Sequence, residues 1–121
     1  MDQSQGLAGH LTFPGDVSAF PSRDAILEVE RVTDEEIVVV LSRGGARFQV
    51  PPLEERIFSA RASDTAVTVL GTEFEMLREE PYLRVAVYSG VVAVESGASR
   101  VILRARVPLF SEILIFGAAI A

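Results

Sequence analysis

The chain carries a series of short apolar runs that alternate with polar residues and are cut by turn residues roughly every 8–12 positions. From Asp24 onward the segment AILEVERV alternates imperfectly, with Ile26 and Glu28 on one face and Leu27, Val29 and Arg31 on the other. EEIVVVLSR is a continuous apolar run, which suits a strand covered on both sides. Gly44-Gly45 then reads as a tight turn, and ARFQV returns with Phe48 and Val50 on one face, a pattern that predicts a β-hairpin. Pro51-Pro52 forbids continuation, so PPLEER (51–56) is expected to be a loop. RIFSARA, TAVTVL and TEFEMLR follow as three short strands. YLRVAVYS alternates Leu83, Val85 and Val87 with Arg84, Ala86 and Tyr88; Ser89-Gly90 reads as another hairpin turn, then VVAVE, a turn at SGAS, and RVILRARV.

About eight or nine strands at this spacing predict an all-β domain: a sandwich, a jelly roll or a short β-solenoid. Three regions are expected. Residues 1–23, rich in Gly, Pro, Ser and Asp, form an irregular lead-in with one short strand, which Leu11, Phe13, Val17 and Phe20 pin to the core. Residues 24–106 form the β domain. Residues 107–121 form an apolar tail, VPLFSEILIFGAAIA, with one charge, Glu112. As a helix its final nine residues would reach only about 14 Å, half of a bilayer core. A last strand or short helix packed on the domain is the simpler expectation.

Composition narrows the chemistry. The 121 residues are 49% hydrophobic, enough for one domain and one core. The formal charge is −6, and the basic residues, all Arg, come singly among carboxylates, which disfavours a nucleic-acid partner. Cysteine is absent, which removes disulfides, thiolate metal sites and thiol nucleophiles together. The start, MDQSQGLAGH, lacks the pattern of a signal peptide, and no apolar run reaches transmembrane length.

The catalytic candidates are few. His10 is the single histidine and lies in the lead-in without a neighbouring serine and carboxylate arrangement. Asp34-Glu35-Glu36, Glu54-Glu55 and Glu79-Glu80 are adjacent carboxylates, which a strand would send to opposite faces. Glu73 and Glu75 share a face and are the one pair placed for acid–base work; the plainer expectation is a wet face with Phe74 and Met76 buried behind it. Gly44, Gly45, Gly71, Gly90 and Gly97 each precede a strand, whereas phosphate cradles feed a helix. No catalytic residue, metal or cofactor is expected.

Four ordered blocks carry a resemblance. Gly45, Ala46, Phe48 and Val50 are followed by Arg56 and Phe58, then by Val67, Val69, Leu70, Gly71, Thr72 and Phe74, then by Val85, Val87, Gly90, Val92 and Val94. Together, across about residues 25–96, they resemble the FecR-type domain, the extracytoplasmic domain of iron-dicitrate-type regulators of sigma factors. Ser59 and Met76 stand where that family favours valine, and the sequence after Gly97 departs from its pattern. The resemblance implies a periplasmic, non-enzymatic sensing or relay domain in iron-transport regulation. Its implied partner is the signalling domain of a TonB-dependent transducer. Apart from the resemblance, strand addition or face packing at an exposed sheet edge is the physical route expected, with PPLEER and the tail as docking candidates that match no family site. It makes Gly45, Phe48, Phe58, Leu70, Gly71, Thr72, Phe74 and Gly90 the family-motif residues, with a role in specifying the fold. Two alternatives remain: a structural or envelope- and carbohydrate-binding β module, and a carbohydrate hydrolase resting on Glu73.

Overall fold

The structure, a computed structural model, describes residues 10–52, 56–79, 82–105, 110–116 and 119–120. Every regular element among them is a strand: β1 (Leu11–Phe13), β2 (Val17–Pro21), β3 (Ile26–Val32), β4 (Glu36–Arg43), β5 (Gly45–Val50), β6 (Ile57–Ala62), β7 (Thr65–Glu79), β8 (Tyr82–Ser96), β9 (Ser99–Arg104), β10 (Ser111–Phe116) and β11 (Ala119–Ile120). The domain is all-β, and all eleven strands belong to one hydrogen-bonded sheet.

That sheet folds over on itself, and β7 and β8 make the fold. Thr65–Val69 of β7 pairs with β6, while Thr72–Leu77 pairs with β5. β8 runs antiparallel to β7 along nearly its whole length, taking β9 on its C-terminal half and β10 on its N-terminal half. One layer is therefore β3-β4-β6-β7-β8-β9, and the other is β1-β2-β5-β7-β8-β10-β11. The two long strands belong to both.

Period-two alternation fills the space between the layers. Ile37, Val39 and Leu41 of β4, Phe58 and Ala60 of β6, and Val67 and Val69 of β7 are buried from one side. Phe48 and Val50 of β5, Phe74 and Met76 of β7, and Val85 and Val87 of β8 are buried from the other. Phe58 lies 5.4 Å from Phe48 and 6.4 Å from Phe74, ring centre to ring centre, so the aromatic cluster spans the layers. Aromatic pairs at such separations add to what their burial contributes. At the far end of the β7–β8 ladder the Thr65 and Ser96 hydroxyls, both buried, bond to each other at 2.9 Å.

Several boundaries differ from the sequence expectation. Gly44-Gly45 is no hairpin turn: β4 pairs with β3 and β6, and β5 pairs with β2 and β7. The chain crosses between layers there. Gly44 adopts φ +75°, and a Cβ would sit 2.8 Å from Ala25 Cα, so the crossing needs glycine. The carbonyls at the crossing are satisfied, Gly44 O accepting from Arg78 N–H of β7 at 2.9 Å and Gly45 O from Ser22 N–H at 2.8 Å. With β5 in the opposite layer, β6 returns beside β4 in parallel.

Ser89-Gly90 is likewise no hairpin turn but a bend within one continuous strand, and TAVTVL and TEFEMLR are two halves of β7. The N-terminal segment supplies two strands, β1 and β2, the latter paired with β5. Residues 111–116 pair along β8, with Ile115 buried. Val38 of the apolar run is also buried, but on the outward side between Arg31 and Ser59 in register.

The bend has an atomic cause. Pairing jumps from Val69↔Val92 to Thr72↔Gly90, and again between Glu73↔Ser89 and Phe74↔Val87, so two register shifts flank Gly90. Such bulges kink a ladder and increase its twist. Gly90 has φ +83°, and a Cβ on it would lie 2.3 Å from Gly71 O. Gly90→Ala is expected to destabilise the domain by more than the roughly 1–2 kcal/mol of a left-handed backbone alone, because the overlap adds to it. A urea midpoint in the variant equal to the parent's would show that the bend does not depend on this glycine.

Candidate functional site

The family-motif residues lie inside the fold. Phe48, Phe58 and Phe74 have no exposed surface and form the aromatic cluster. Gly45 is buried where a Cβ would meet Leu77 Cδ1 at 2.9 Å. Gly71 passes against Pro52, whose Cα would lie 3.1 Å from an added Cβ. Thr72 is buried and donates its hydroxyl to Val91 O at 2.9 Å, tying β7 to β8 across the bend. Leu70 belongs to β7 by its backbone; its side chain lies outside the described residues. The structure brings Gly71, Thr72 and Gly90 together at the corner and Phe48, Phe58 and Phe74 together in the core. None of the three phenylalanines can touch a partner.

What faces outward is different. On the β5–β7–β8–β10 face, Arg47 donates Nε and Nη2 to Glu73 Oε2 at 2.9 and 2.6 Å, and its guanidinium lies 4.4 Å over the Tyr88 ring. Tyr88 donates its hydroxyl to Glu75 Oε1 at 3.0 Å. Arg84 bridges Glu75, at 3.7 Å, and Glu112 of β10. Phe110, exposed, stacks obliquely on Tyr88 with ring centres 5.4 Å apart. Glu73 and Glu75 do share a face, as their spacing requires, but each is held by its own arginine. The arrangement binds these carboxylates as ion-pair acceptors.

The other outward face, over β6, β7, β8 and β9, carries an apolar patch among polar residues such as Ser59, Arg61 and Glu95. Ile57, Thr68, Val91, Ala93 and Ile102 line an open groove of about 460 Å³ with Arg100 at its margin. Ile57 and Ile102 are each 46% exposed and Val91 37%. A sheet face normally turns polar side chains to water, whereas here apolar side chains gather on one outward patch. Residues 53–55 of the expected PPLEER docking loop lie outside the described residues. His10 stacks on Phe20 at 4.5 Å, and among the described residues no group of His, Cys, Asp or Glu could hold a metal ion.

Sequence reasoning put Glu73 with Glu75, and Arg84 with Tyr88, on common sides of their strands but missed how these meet. Arg47 reaches Glu73 and Tyr88, and Arg84 reaches Glu112, only through cross-strand register. The groove had a local signal, since alternation within RVILR puts Arg100, Ile102 and Arg104 on one side and Val101 and Leu103 on the other.

The chain is thus an all-β sheet closed around an aromatic core, with glycines at the bend and Arg–Glu pairs on one outward face. The chain belongs to the FecR protein family, whose pattern matches residues 18–93. In fold it is similar to a candidate anti-sigma factor from Parabacteroides distasonis ATCC 8503, with a TM-score of 0.79 to the crystal structure at 1.65 Å resolution and 0.78 to one at 2.50 Å. Identity is 22% over 93% of this chain, which spans about half of that protein's chain, 52%. No curated protein sequence matches.

Tyr88 offers a test of the ladder. Burial, then the hydrogen bond and charge of Glu75, raise its phenol above the ordinary value of 10.0. A raised value favours the neutral phenol in the fold, so its contribution to stability is complete below pH 10 and is lost as pH rises through the folded value. In a Tyr82→Phe background, which leaves one tyrosine, tyrosinate absorbance is expected to develop with a midpoint above 10, and Glu75→Gln to move it downward. Titration at or below the free value would mean that Tyr88 is not held by Glu75.

Proposed function

We propose that this domain is a non-enzymatic, extracytoplasmic relay module of a sigma-factor regulator and works by protein–protein contact. The observation that carries the reading is FecR membership across both layers of the folded sheet, together with an apolar outward groove of about 460 Å³. FecR-type regulators are as a class extracytoplasmic and non-enzymatic, and the similar fold in a candidate anti-sigma factor agrees with such a role. In this reading the domain sits in the periplasm and meets the signalling domain of a TonB-dependent transducer. Transducer occupancy alters that contact, and the regulator's other segments pass the change to the sigma factor.

The test is calorimetric titration of the 121-residue chain with the signalling domain of the transducer encoded beside it. Low-micromolar binding is expected, and no heat at several hundred micromolar would contradict the reading. A second reading, an envelope- or carbohydrate-binding module, draws on the Tyr88–Phe110 aromatic pair flanked by Arg47 and Arg84. Saturable binding of soluble peptidoglycan fragments, abolished by Phe110→Ala, would favour it over the relay.

A further inference from the structure

The folded sheet leaves long edges at β3 and β9, since among the described residues β3 pairs only with β4 and β9 only with β8. An edge strand offers a row of unmet N–H and C=O groups, a template for another strand. The two edges are not equivalent. β3 is interrupted by register shifts at Ile26/Leu27 and Val29/Arg31, and two of its three charges are engaged, Arg31 with Glu36 at 2.6 Å and Glu30 with Arg61 at 3.7 Å. β9 runs in unbroken register from Ser96↔Ser99 to Val91↔Arg104.

The hairpin geometry determines which groups of β9 are free. Gly97-Ala98 is a two-residue loop with φ +60° at Gly97, so Ser96 and Ser99 form the first hydrogen-bonded pair. Bonded and non-bonded pairs then alternate, and the bond from Ala105 N–H to Gly90 O, 3.0 Å, keeps that phase at the other end. Ser99, Val101 and Leu103 thus spend their backbone groups on β8. Arg100, Ile102 and Arg104 turn theirs to the open edge, and the same residues carry the outward side chains beside the groove.

We infer that β9 is a docking edge for an extended partner strand carrying an acid–x–apolar–x–acid pattern. The apolar residue would sit opposite Ile102 in a hydrogen-bonded pair and extend the groove formed with Val91 and Ala93. The acids would face Arg100 and Arg104. Arg100 is held only loosely by Glu95, at 3.4 Å with both side chains more than half exposed, and Arg104 is exposed with no ion-pair partner among the described residues. In a chain of net charge −6 these two cations select for an acidic partner. They also select against a second copy: antiparallel self-pairing centred on Ile102 sets Arg100 opposite Arg104 at both ends, and like charges directly opposite are destabilising. The inference rests on the relay reading only for the identity of the protein that supplies the strand.

Two blocked peptides, TETVTET and TKTVTKT, titrated into the 121-residue chain by NMR, test the edge. The acidic peptide is expected to bind about tenfold more tightly, from two attractive pairs in place of two repulsive ones, and to slow amide exchange at Arg100, Ile102 and Arg104. The double change Arg100→Glu and Arg104→Glu should invert the preference. Ile102→Pro, which removes an edge-facing N–H and no bond to β8, should abolish binding of both peptides. Equal affinities, no binding, or protection at β3 instead would overturn the inference. The same variants separate it from the relay reading. A transducer domain that binds the parent and all variants alike sinks the β9 edge alone; a transducer domain that fails to bind while the acidic peptide succeeds sinks the relay alone.

Discussion

The architecture depends on the approach of two glycine backbones where β7 and β8 bend. Gly90 lies so near the carbonyl of Gly71 that a Cβ would be 2.3 Å from its oxygen, and the neighbouring Thr72 hydroxyl fixes the approach by donating to Val91 O at 2.9 Å. Remove that proximity and the fifteen-residue strands would run on as a flat ribbon. Phe58, beside the first half of β7, would then no longer face Phe74 in the second. The corner turns one long hairpin into two layers, and the phenylalanine cluster is what the layers close upon.

Because each strand alternates, closing the sheet also divides the sequence by role. Inward residues of β5, β6, β7 and β8 are mostly Phe, Val, Ala, Met and Leu, with Thr65, Thr72 and Ser96 among the buried polar side chains, and nearly all the family-motif positions fall there or at the bend. Outward residues are left to contact. Ion pairs such as Arg47–Glu73, with both side chains substantially exposed, contribute little to stability, so the polar ladder does not hold the fold. It gives one face a defined pattern of charge and aromatic surface, while the opposite face presents aliphatic side chains beside β9, which has no second partner strand among the described residues.

Much of the fold was legible from pattern alone. Alternation in YLRVAVYS and in TEFEM gives the buried and exposed faces as the structure has them, with Phe74 and Met76 inside and Glu73 and Glu75 outside. Where the reading failed, glycine was the reason. A positive φ serves a turn, a bulge or a layer crossing equally well, so Gly44 and Gly90 signalled a break without stating its kind. Both were read as hairpin turns because each stands between two strand-like runs, yet those runs find their partners elsewhere in the chain. The outward site was less legible for a related cause: Arg47 meets Tyr88 only because β5 and β8 both flank β7. RVILR carried its outward pattern within one short segment, but nothing in five residues states that β9 has no second partner strand among the described residues.

If the bend makes the two layers a single cooperative body, native-state hydrogen exchange will report it most directly. Amides of Ala60 and Val67 in one layer and of Phe48 and Met76 in the other should open with one common free energy, equal to that of global unfolding and falling with the same denaturant dependence. Two separate groups, with one layer exchanging through its own lower-energy opening, would contradict the claim that the Gly71–Gly90 corner unites them.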